Sequence, residues 1–376
     1  MTDHRQPRVL ITSAGFGDGH NSAARNLACA LSGHAEVQVV DPCAKGAPWV
    51  NELIRSSYRF TTTYAPRTWS KIYNSVERRD FSKDTLPLMR RPEAALHRSL
   101  EEFRPDVVVS TYPLYPYFLE RSFCKDIPRC PVVTVVTDSI NINAAWRNAP
   151  TDYWLVTDPE TRRHLIDFDI APRRIVETGF PVDDRFSKLN PISADDDAKP
   201  FRVLFFPTPK RPTVRRAARA VLDHAGWPTE LTIVLGRNLR KLYSRAREIQ
   251  KAYPGRVKIK GWTKKVPELL CNHHLVIGKA GGATVHEALA ARCPMLIHHL
   301  VPGQEEGNLN LLKIIGGGSL ADSPDRLSAS LRDLLTDHAA LWRQQKRRLT
   351  KHACPQASDT AANFILNLVD STSKEE

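Results

Sequence analysis

Short runs of apolar, mostly β-branched residues alternate with amphipathic helical stretches along almost the whole chain. The runs are Val9–Thr12, Val37–Val40, Asp106–Ser110, Val132–Asp138, Tyr153–Thr157, Ile175–Gly179, Arg202–Phe206, Leu231–Leu235, Val257–Lys260, Leu275–Gly278 and Met295–Ile297. Near-continuous apolar runs of this kind are typical of strands that are buried on both faces of a parallel sheet. With 376 residues, the chain is long enough for two domains. The pattern therefore predicts an α/β protein with two successive doubly wound sheets.

One segment, residues 190–200, breaks the alternation. It contains Pro191, three consecutive aspartates and Pro200, and it has no apolar periodicity. This composition predicts a linker between a first domain, residues 1–189, and a second domain, residues 201–354. Residues 355–376 form a final segment in which apolar residues recur at helical spacing between Ala361 and Val369.

The formal net charge of +13 lies mostly in the second half of the chain, and residues 237–265 contain a single acid, Glu248. A basic excess of this size predicts an acidic partner, such as nucleic acid, anionic lipid or a phosphate-bearing substrate. The seven cysteines form no C-x-x-C pair, so we expect reduced thiols in a cytoplasmic protein. No signal peptide and no apolar stretch of bilayer length are found in the sequence.

The first glycine-rich loop, Ser13–His20, joins the first predicted strand to a helix. Its glycines allow close backbone approach to a ligand, and the helix N-terminus favours an anion. His20 lies where the loop meets the helix and is a candidate general base. The spacing is G-x-G-x-G, and Asp41 ends the second strand much as the ribose-binding acid does in dinucleotide-binding folds. A nicotinamide-dependent oxidoreductase is therefore one alternative.

A second glycine-rich loop, Gly278–Glu287, also follows a strand and begins a helix. Its helix N-terminus can receive phosphate oxygens, and Glu287 can accept hydrogen bonds from ribose hydroxyls. About twenty residues later comes Val301–Asn308, in which Gln304 and Glu305 lie between glycines. Amide and carboxylate side chains of this kind suit the neighbouring hydroxyls of a sugar.

These two motifs, K-A-G-G-A-T-x-x-E-A-L and P-G-Q-E-x-G-N, resemble those of the processive diacylglycerol glucosyltransferases and the monogalactosyldiacylglycerol synthases. Those families are related to the peptidoglycan N-acetylglucosaminyltransferase. The resemblance also includes G-D-G-H-x-S-A at Gly17–Ala23, Thr137-Asp138 with Trp146 eight residues after the aspartate, Gly179-Phe-Pro-Val, Leu235-Gly-Arg-Asn238 and Gly261-Trp-Thr. It covers most of the chain.

The resemblance implies the GT-B fold, in which two Rossmann-like domains face a central cleft. The first domain would bind a lipid acceptor and the membrane, and the second would bind a UDP-sugar. It further implies inverting hexosyl transfer to diacylglycerol, with no cofactor and no catalytic metal. The final helix would pack back on the first domain.

Roles for individual residues also follow from the resemblance. His20 is the candidate base, and Asp138 is a second base or orients His20; Gly17, Gly19, Asn143 and Trp146 belong to the acceptor side. In the donor site, Glu287 would bind ribose, Gln304 and Glu305 the hexose, and Gly261, Trp262 and Thr263 the uracil, while Gly281, Gly282, Ala283 and Thr284 would lie near the diphosphate. Lys279, Arg237, Asn238 and Asn308 complete the donor residues.

The chain departs from the family pattern at three places, one of which is Val266, where the family usually has methionine after the uracil loop. Asn143 stands where the family commonly has histidine. Phe206–Arg211 replaces a glycine-rich phosphate loop, so Thr208, Lys210 and Arg211 are candidates to hold the diphosphate by charge. These departures keep a non-catalytic nucleotide-sugar-binding protein, or a transferase for a different lipid acceptor, as alternatives.

Residues 58–73 interleave basic and aromatic side chains. Such residues can rest at a bilayer interface, and Tyr58, Arg59, Phe60, Trp69 and Lys71 are the candidate contacts with an anionic membrane. We therefore expect a cytoplasmic protein held peripherally at the inner face of the cell membrane. Nucleic acid is not an expected partner, because no helix-turn-helix, zinc-finger or RNA-binding signature is found.

Overall fold

The computed structural model describes residues 5–77, 79, 81, 87–209, 211–223 and 227–372. The chain forms two compact units, the first made of Met1–Asp184 and Gln356–Glu376 and the second of Arg185–Pro355. Each unit contains one six-stranded parallel sheet covered by helices, as the alternation of strands and helices predicts.

The strands of the first unit are β1 (Arg8–Thr12), β2 (Glu36–Val40), β3 (Val107–Ser110), β4 (Val132–Val135), β5 (Tyr153–Val156) and β6 (Ile175–Glu177), in the order β2-β1-β3-β4-β5-β6. Its helices are α1 (Asp18–Leu31), α2 (Pro42–Gly46), α3 (Pro48–Tyr64), α4 (Pro66–Val76), α5 (Arg90–Phe103), α6 (Tyr115–Phe123), α7 (Ala144–Arg147) and α8 (Pro159–Asp167).

The first sheet is buried on both faces because alternate side chains of its central strands point to opposite sides. Leu10 and Val108 belong to a core cluster that includes Leu96 of α5. Val9 and Ile11 belong to a second cluster that includes helix α1. This alternation explains why these strands appear in the sequence as continuous apolar runs.

The last helix of the chain, α16 (Ala357–Thr372), belongs to the first unit. Its residues Ala361, Ala362 and Ile365 are buried in the same cluster as Ile11 of β1. Ser358 Oγ also donates a hydrogen bond of 2.5 Å to the carbonyl oxygen of Val182. The C-terminal segment therefore completes one face of the core that the N-terminal strands begin.

The second unit begins with a short helix, α9 (Arg185–Lys188). Its strands are β7 (Phe201–Phe205), β8 (Thr229–Val234), β9 (Val257–Lys260), β10 (Leu275–Lys279), β11 (Met295–His299) and β12 (Gly318–Leu320), in the order β12-β11-β10-β7-β8-β9. The helices that follow are α10 (Arg211–Leu222), α11 (Leu239–Ala252), α12 (Val266–Cys271), α13 (Gly282–Ala290), α14 (Glu306–Ile315) and α15 (Pro324–His352), the last with a kink at Thr336–Ala339.

Residues 190–200, the predicted linker, lie within the second unit. Ile192 packs against the core of that unit, and Asp196 Oδ1 lies 2.9 Å from His274 Nε2. Trp227 Nε1 donates to the carbonyl oxygen of Ala198 at 2.9 Å. The segment is irregular, as its prolines and aspartates predict, but these contacts hold it against the unit, and the division between units falls at Asp184.

Each sheet has a point where successive connections leave in opposite directions. In the first sheet this point lies between β1 and β3, and in the second it lies between β7 and β10. Open parallel sheets bind ligands beyond the carboxyl ends of their strands at such points. Both glycine-rich loops follow a strand next to one of these points.

Among the described helices, none combines the length and the apolar character that a bilayer crossing needs.

A buried hydroxyl in the first sheet provides a test of this packing. Thr134 of β4 is fully buried, and its Oγ1 has no hydrogen-bond partner among the described residues. Thr134→Val replaces that hydroxyl with a methyl group of similar size. We expect the free energy of unfolding to rise by about 1 kcal/mol, since an unsatisfied buried polar group is removed. Urea denaturation measures this change.

Thr161→Val is the matched comparison, because Thr161 is equally buried but satisfied. Its Oγ1 donates to Asp158 Oδ2 at 2.7 Å and accepts from the Ile140 N–H at 2.8 Å. We expect this variant to lose about 2 kcal/mol. Equal changes in the two variants would contradict the hydrogen-bond assignment.

Candidate functional site

The carboxyl edge of the second sheet gathers the loops that carry the predicted donor residues. These residues follow five of the six strands at or beyond their carboxyl ends, namely β7, β8, β9, β10 and β11. In that strand order they are Thr208; Arg237 and Asn238; Gly261, Trp262 and Thr263; Lys279 to Glu287; and Gln304, Glu305 and Asn308. Residues that are distant in sequence therefore share one edge of one sheet.

Helix α13 begins directly after β10. Its first residue is Gly282, and Gly281 precedes it as an N-cap without any side-chain hydrogen bond. The first turn, which contains Ala283 and Thr284, has no acidic residue. The first N–H groups of a helix have no intrahelical acceptor, so this N-terminus can receive an anion. Glu287 follows one turn later and is half-buried.

An ion pair joins the β10 loop to the β11 loop. The Lys279 Nζ donates to Glu305 Oε1 at 2.8 Å, and the Val301 N–H donates to Glu305 Oε2 at 3.1 Å. Glu305 is only 3% exposed, whereas the Lys279 side chain is 50% exposed. Both carboxylate oxygens of Glu305, a predicted hexose ligand, therefore already have donors.

Asn308 also connects these two loops. Its Nδ2 donates to the carbonyl oxygen of Ala280 at 2.9 Å, while its Oδ1 is buried and has no partner among the described residues. Gln304, between Gly303 and Glu305, is half-buried. The positive φ of 85° at Gly303 makes glycine the favoured residue there. The structure thus brings Lys279, Gly281, Glu305 and Asn308 together.

The remaining loops of this edge contribute more exposed groups. Arg237 and Asn238 lie in a 3₁₀ turn, and a Cβ at Gly261 would lie 3.5 Å from the side chain of Leu239. Trp262 is 60% exposed, and Thr263 Oγ1 accepts from the Lys265 N–H at 3.0 Å. Thr208 is buried. Lys210 lies outside the described residues, and Arg211 is the first residue of α10.

His298, at the carboxyl edge of the second sheet, is not among the donor residues that the sequence predicts. His298 Nε2 donates to the Phe206 carbonyl at 3.2 Å and so ties the β11 strand end to the β7 loop. Burial lowers the pKa of His298 to about 4, so the ring is neutral at physiological pH. Two consecutive histidines, His298 and His299, directly follow the predicted strand Met295–Ile297, and this pattern could have indicated His298 as a residue of the site.

In the first unit, His20 lies in the first turn of α1, and Gly17 is the N-cap of that helix. The Nδ1 of His20 lies 3.0 Å from the Thr137 hydroxyl, and the ring contacts Tyr112 edge-on and lies 6.0 Å from the Trp146 ring. Burial lowers the pKa of His20 to about 4, and a hydrogen bond with the backbone of Thr111 opposes this shift. The imidazole is therefore neutral near pH 7 and can accept a proton.

Asp138 and Asn143 surround the same corner of the first unit. Trp146 Nε1 donates to Asp138 Oδ2 at 3.1 Å. Asn143 Oδ1 accepts from the Ala145 N–H at 3.1 Å and caps α7. Asn143 thus has a structural role at the position where the family commonly has histidine. The structure brings His20, Asp138 and Trp146 together through the loop that follows β4.

Asp41, on which the oxidoreductase alternative depends, is engaged with the main chain. Its Oδ2 accepts from the Gly15 N–H at 3.0 Å, and its Oδ1 accepts from the Ala44 N–H at 3.0 Å. The first contact holds the glycine-rich loop, and the second caps α2. Both oxygens of the carboxylate therefore bind this chain's own backbone.

Some of the predicted membrane residues pack between α3 and α4, and the others face solvent. The rings of Tyr58 and Trp69 pack edge-on at 4.9 Å, so these two side chains join the helices. Phe60 is 61% exposed, and Arg59 and Lys71 are also exposed. Other large apolar side chains are exposed on these two helices: Trp49, Leu53, Tyr64 and Ile72.

The inner face of α3 lies beside the first glycine-rich loop. A Cβ at Gly17 would lie 4.0 Å from the Tyr58 hydroxyl oxygen, and one at Gly15 would lie 3.6 Å from the Arg55 side chain. Nothing lies within 4 Å of a Cβ at Gly19 among the described residues. Helix α3 therefore connects the loop that precedes His20 to an exposed apolar and basic surface.

Comparisons with known proteins agree with these features. The family of monogalactosyldiacylglycerol (MGDG) synthases matches residues 20–182. The processive diacylglycerol beta-glucosyltransferase of Bacillus thuringiensis (strain Al Hakam) is 24% identical over 371 residues, which cover 96% of this chain and 94% of that protein.

Solved structures share the fold at low sequence identity. MurG from Acinetobacter baumannii is 15% identical with a TM-score of 0.65, over 97% of this chain and 99% of that chain. The UDP-GlcNAc 2-epimerase from Neisseria meningitidis, determined with bound UDP-GlcNAc, is 13% identical with a TM-score of 0.57, over 96% of this chain and 100% of that chain. The resemblance predicted from the motifs is thereby confirmed: this chain is similar to the diacylglycerol glycosyltransferases and has the GT-B fold.

Proposed function

We propose that this protein transfers a hexose from a UDP-sugar to the free hydroxyl of diacylglycerol, with inversion at the anomeric carbon. The observation that carries the proposal is the carboxyl edge of the second sheet, where an acid-free helix N-terminus, an ammonium group and buried amide and carboxylate side chains meet. A helix N-terminus and a lysine suit a diphosphate, and the polar side chains suit ribose and hexose hydroxyls.

The second unit would bind the donor. Glu287 accepts hydrogen bonds from the ribose, the Gly261–Thr263 loop contacts the uracil, and the first turn of α13 receives the diphosphate. Gln304 and Asn308 contact the hexose, and Asn308 Oδ1, which has no partner in the part of the chain that the structure describes, offers a buried acceptor for a hydroxyl. The similarity to a structure determined with UDP-GlcNAc supports this class of donor.

The first unit would bind the acceptor and activate it. The acceptor oxygen forms a bond to C1 of the hexose as the bond from C1 to the diphosphate oxygen breaks, and the electron pair of that bond leaves with UDP. The hydroxyl proton passes to His20 Nε2, which requires that Nδ1–H donate to the Thr137 hydroxyl. Asp138, beside Trp146, is the second candidate for this proton. No metal ion and no cofactor is required for these steps.

The exposed side chains of α3 and α4 support a membrane-bound acceptor. Arg59, Lys71 and Phe60 present charge and an aromatic ring to solvent. Each basic residue near an anionic surface adds about 1 kcal/mol of binding. We therefore propose peripheral binding to the anionic inner face of the cell membrane, with diacylglycerol reaching His20 along α3.

The proposal is tested by incubating the protein with diacylglycerol in vesicles, with and without anionic lipid. UDP-glucose, UDP-galactose, UDP-N-acetylglucosamine and UDP-glucuronate are supplied one at a time, and UDP release and glycolipid are measured. We expect glycolipid with one donor, and a higher rate on anionic vesicles. Donor binding without turnover would instead favour another lipid acceptor or a non-catalytic sensor.

Glu287→Ala tests the ribose assignment. Loss of a charged acceptor should weaken UDP binding by about 30-fold, which corresponds to about 2 kcal/mol for hydrogen bonds to a charged group. Isothermal titration calorimetry with UDP measures the change. Glu230→Ala is the matched control, since Glu230 pairs with Lys258 near the amino end of β8. Unchanged UDP affinity in Glu287→Ala would refute the assignment.

His20→Ala tests the general base. We expect kcat to fall by about 10²- to 10⁴-fold, the usual contribution of a positioned acid or base, with donor affinity unchanged. Because the pKa of His20 is lowered to about 4, the base stays unprotonated above that pH. The kcat/KM of the unsubstituted enzyme should therefore be flat from about pH 6 to pH 8 and fall only toward pH 4.

His34→Ala is the matched control for this variant, because His34 is exposed and lies just after α1. Full activity of His20→Ala would transfer the role to Asp138, which Asp138→Asn then tests. An acid limb with its midpoint near 6.5 would contradict the low pKa of the base.

A further inference from the structure

The carboxylate of Glu305 is fixed by two donors. Oε1 accepts from the Lys279 ammonium at 2.8 Å, and Oε2 accepts from the Val301 N–H at 3.1 Å. The side chain is almost completely buried. Breaking these contacts would leave a buried charge without a partner, which is costly. The position of the Glu305 carboxylate is therefore fixed.

The ammonium that Glu305 holds lies over the start of α13. A Cβ at Gly281 would lie 3.2 Å from the Lys279 Nζ and 3.6 Å from Glu305 Oε1. The ammonium therefore lies close to Gly281, the residue that precedes the first turn of α13. An ammonium has three N–H donors, of which one is directed to Glu305.

The chain path at Lys279 also favours this placement. The register between β10 and β11 shifts between Gly278 and Lys279, so Lys279 pairs with His299 after Gly278 has paired with Ile297. Such an irregularity re-aims the side chains at the end of a strand. Lys279 keeps half of its side chain exposed to solvent, where an incoming ligand can meet it.

We infer that Glu305 is a positioning residue that holds the Lys279 ammonium, and that Lys279 binds the diphosphate of the donor. This inference rests on the proposed function, and it reassigns Glu305 from a hexose ligand to the partner of Lys279. When the bond from C1 breaks, the electron pair stays on the diphosphate oxygen. A pre-positioned ammonium stabilises the charge that develops there.

The experiment compares the affinities of uridine, UMP, UDP and the accepted UDP-hexose by calorimetry. Lys279→Met should weaken UDP binding by about 10- to 100-fold, while uridine binding stays unchanged, because only the diphosphate meets the ammonium. Lys279→Arg should restore part of the loss. The UDP affinity of the unsubstituted protein should also fall more steeply with salt than that of Lys279→Met.

Glu305→Gln separates the two roles of the carboxylate. If Glu305 is a positioning residue, Glu305→Gln should weaken binding of UDP itself by about 10-fold. The double variant with Lys279→Met should then bind UDP no more weakly than Lys279→Met alone. If Glu305 were a hexose ligand, Glu305→Gln would weaken only the UDP-hexose and leave UDP affinity unchanged. That result would overturn the inference.

Lys258→Met is the matched control, because Lys258 forms an exposed ion pair with Glu230 in the same unit. Thermal unfolding verifies that each variant folds. If Glu305→Gln does not fold, Lys279→Met still tests the inference, because the Lys279 side chain is half-exposed. Unchanged UDP affinity in Lys279→Met would overturn the inference. Failure of the unsubstituted protein to bind any uridine nucleotide would refute the proposed function instead.

Discussion

All strands of each sheet run in one direction, and this constraint determines where chemistry can occur. Helices cover both faces of each sheet, and the strand backbones are used in the parallel ladders. Side chains from several strands can therefore meet a ligand only at the strand ends, and the carboxyl end is where the loops open onto helix N-termini. The residues proposed for the donor and those proposed for the acceptor lie at such ends.

At the carboxyl edge of the second sheet, contacts within this chain already position the carboxylate of Glu305 and the ammonium of Lys279. Glu305 and the Val301 N–H form a buried hydrogen bond, and the ion pair to Lys279 then fixes a positive charge beside Gly281. Preorganised charge of this kind needs little rearrangement when the substrate binds. The absence of a Cβ at Gly281 is part of the arrangement, because a side chain there would crowd the ammonium.

The sequence predicts the strands and the loops well because both depend on local pattern. Continuous apolar runs indicate buried parallel strands, and glycines after a strand indicate a loop that approaches a ligand. Side-chain partners depend on tertiary contacts instead. The pairing of Glu305 with Lys279, the use of Asp41 by the backbone and the packing of residues 190–200 lie beyond local pattern. In α3, the same aromatic spacing contains Tyr58, which packs inward, and Phe60, which faces solvent.

The position of α16 has a consequence for biosynthesis. Its residues Ala361, Ala362 and Ile365 complete a core whose first members, Val9 and Ile11, leave the ribosome more than three hundred residues earlier. Until the last helix emerges, the apolar face of β1 and α1 that it covers is exposed to solvent. The second unit, Arg185–Pro355, can close its own core while translation continues. The first unit is thus completed only after the second unit has been synthesised, and its uncovered apolar face must avoid aggregation until then.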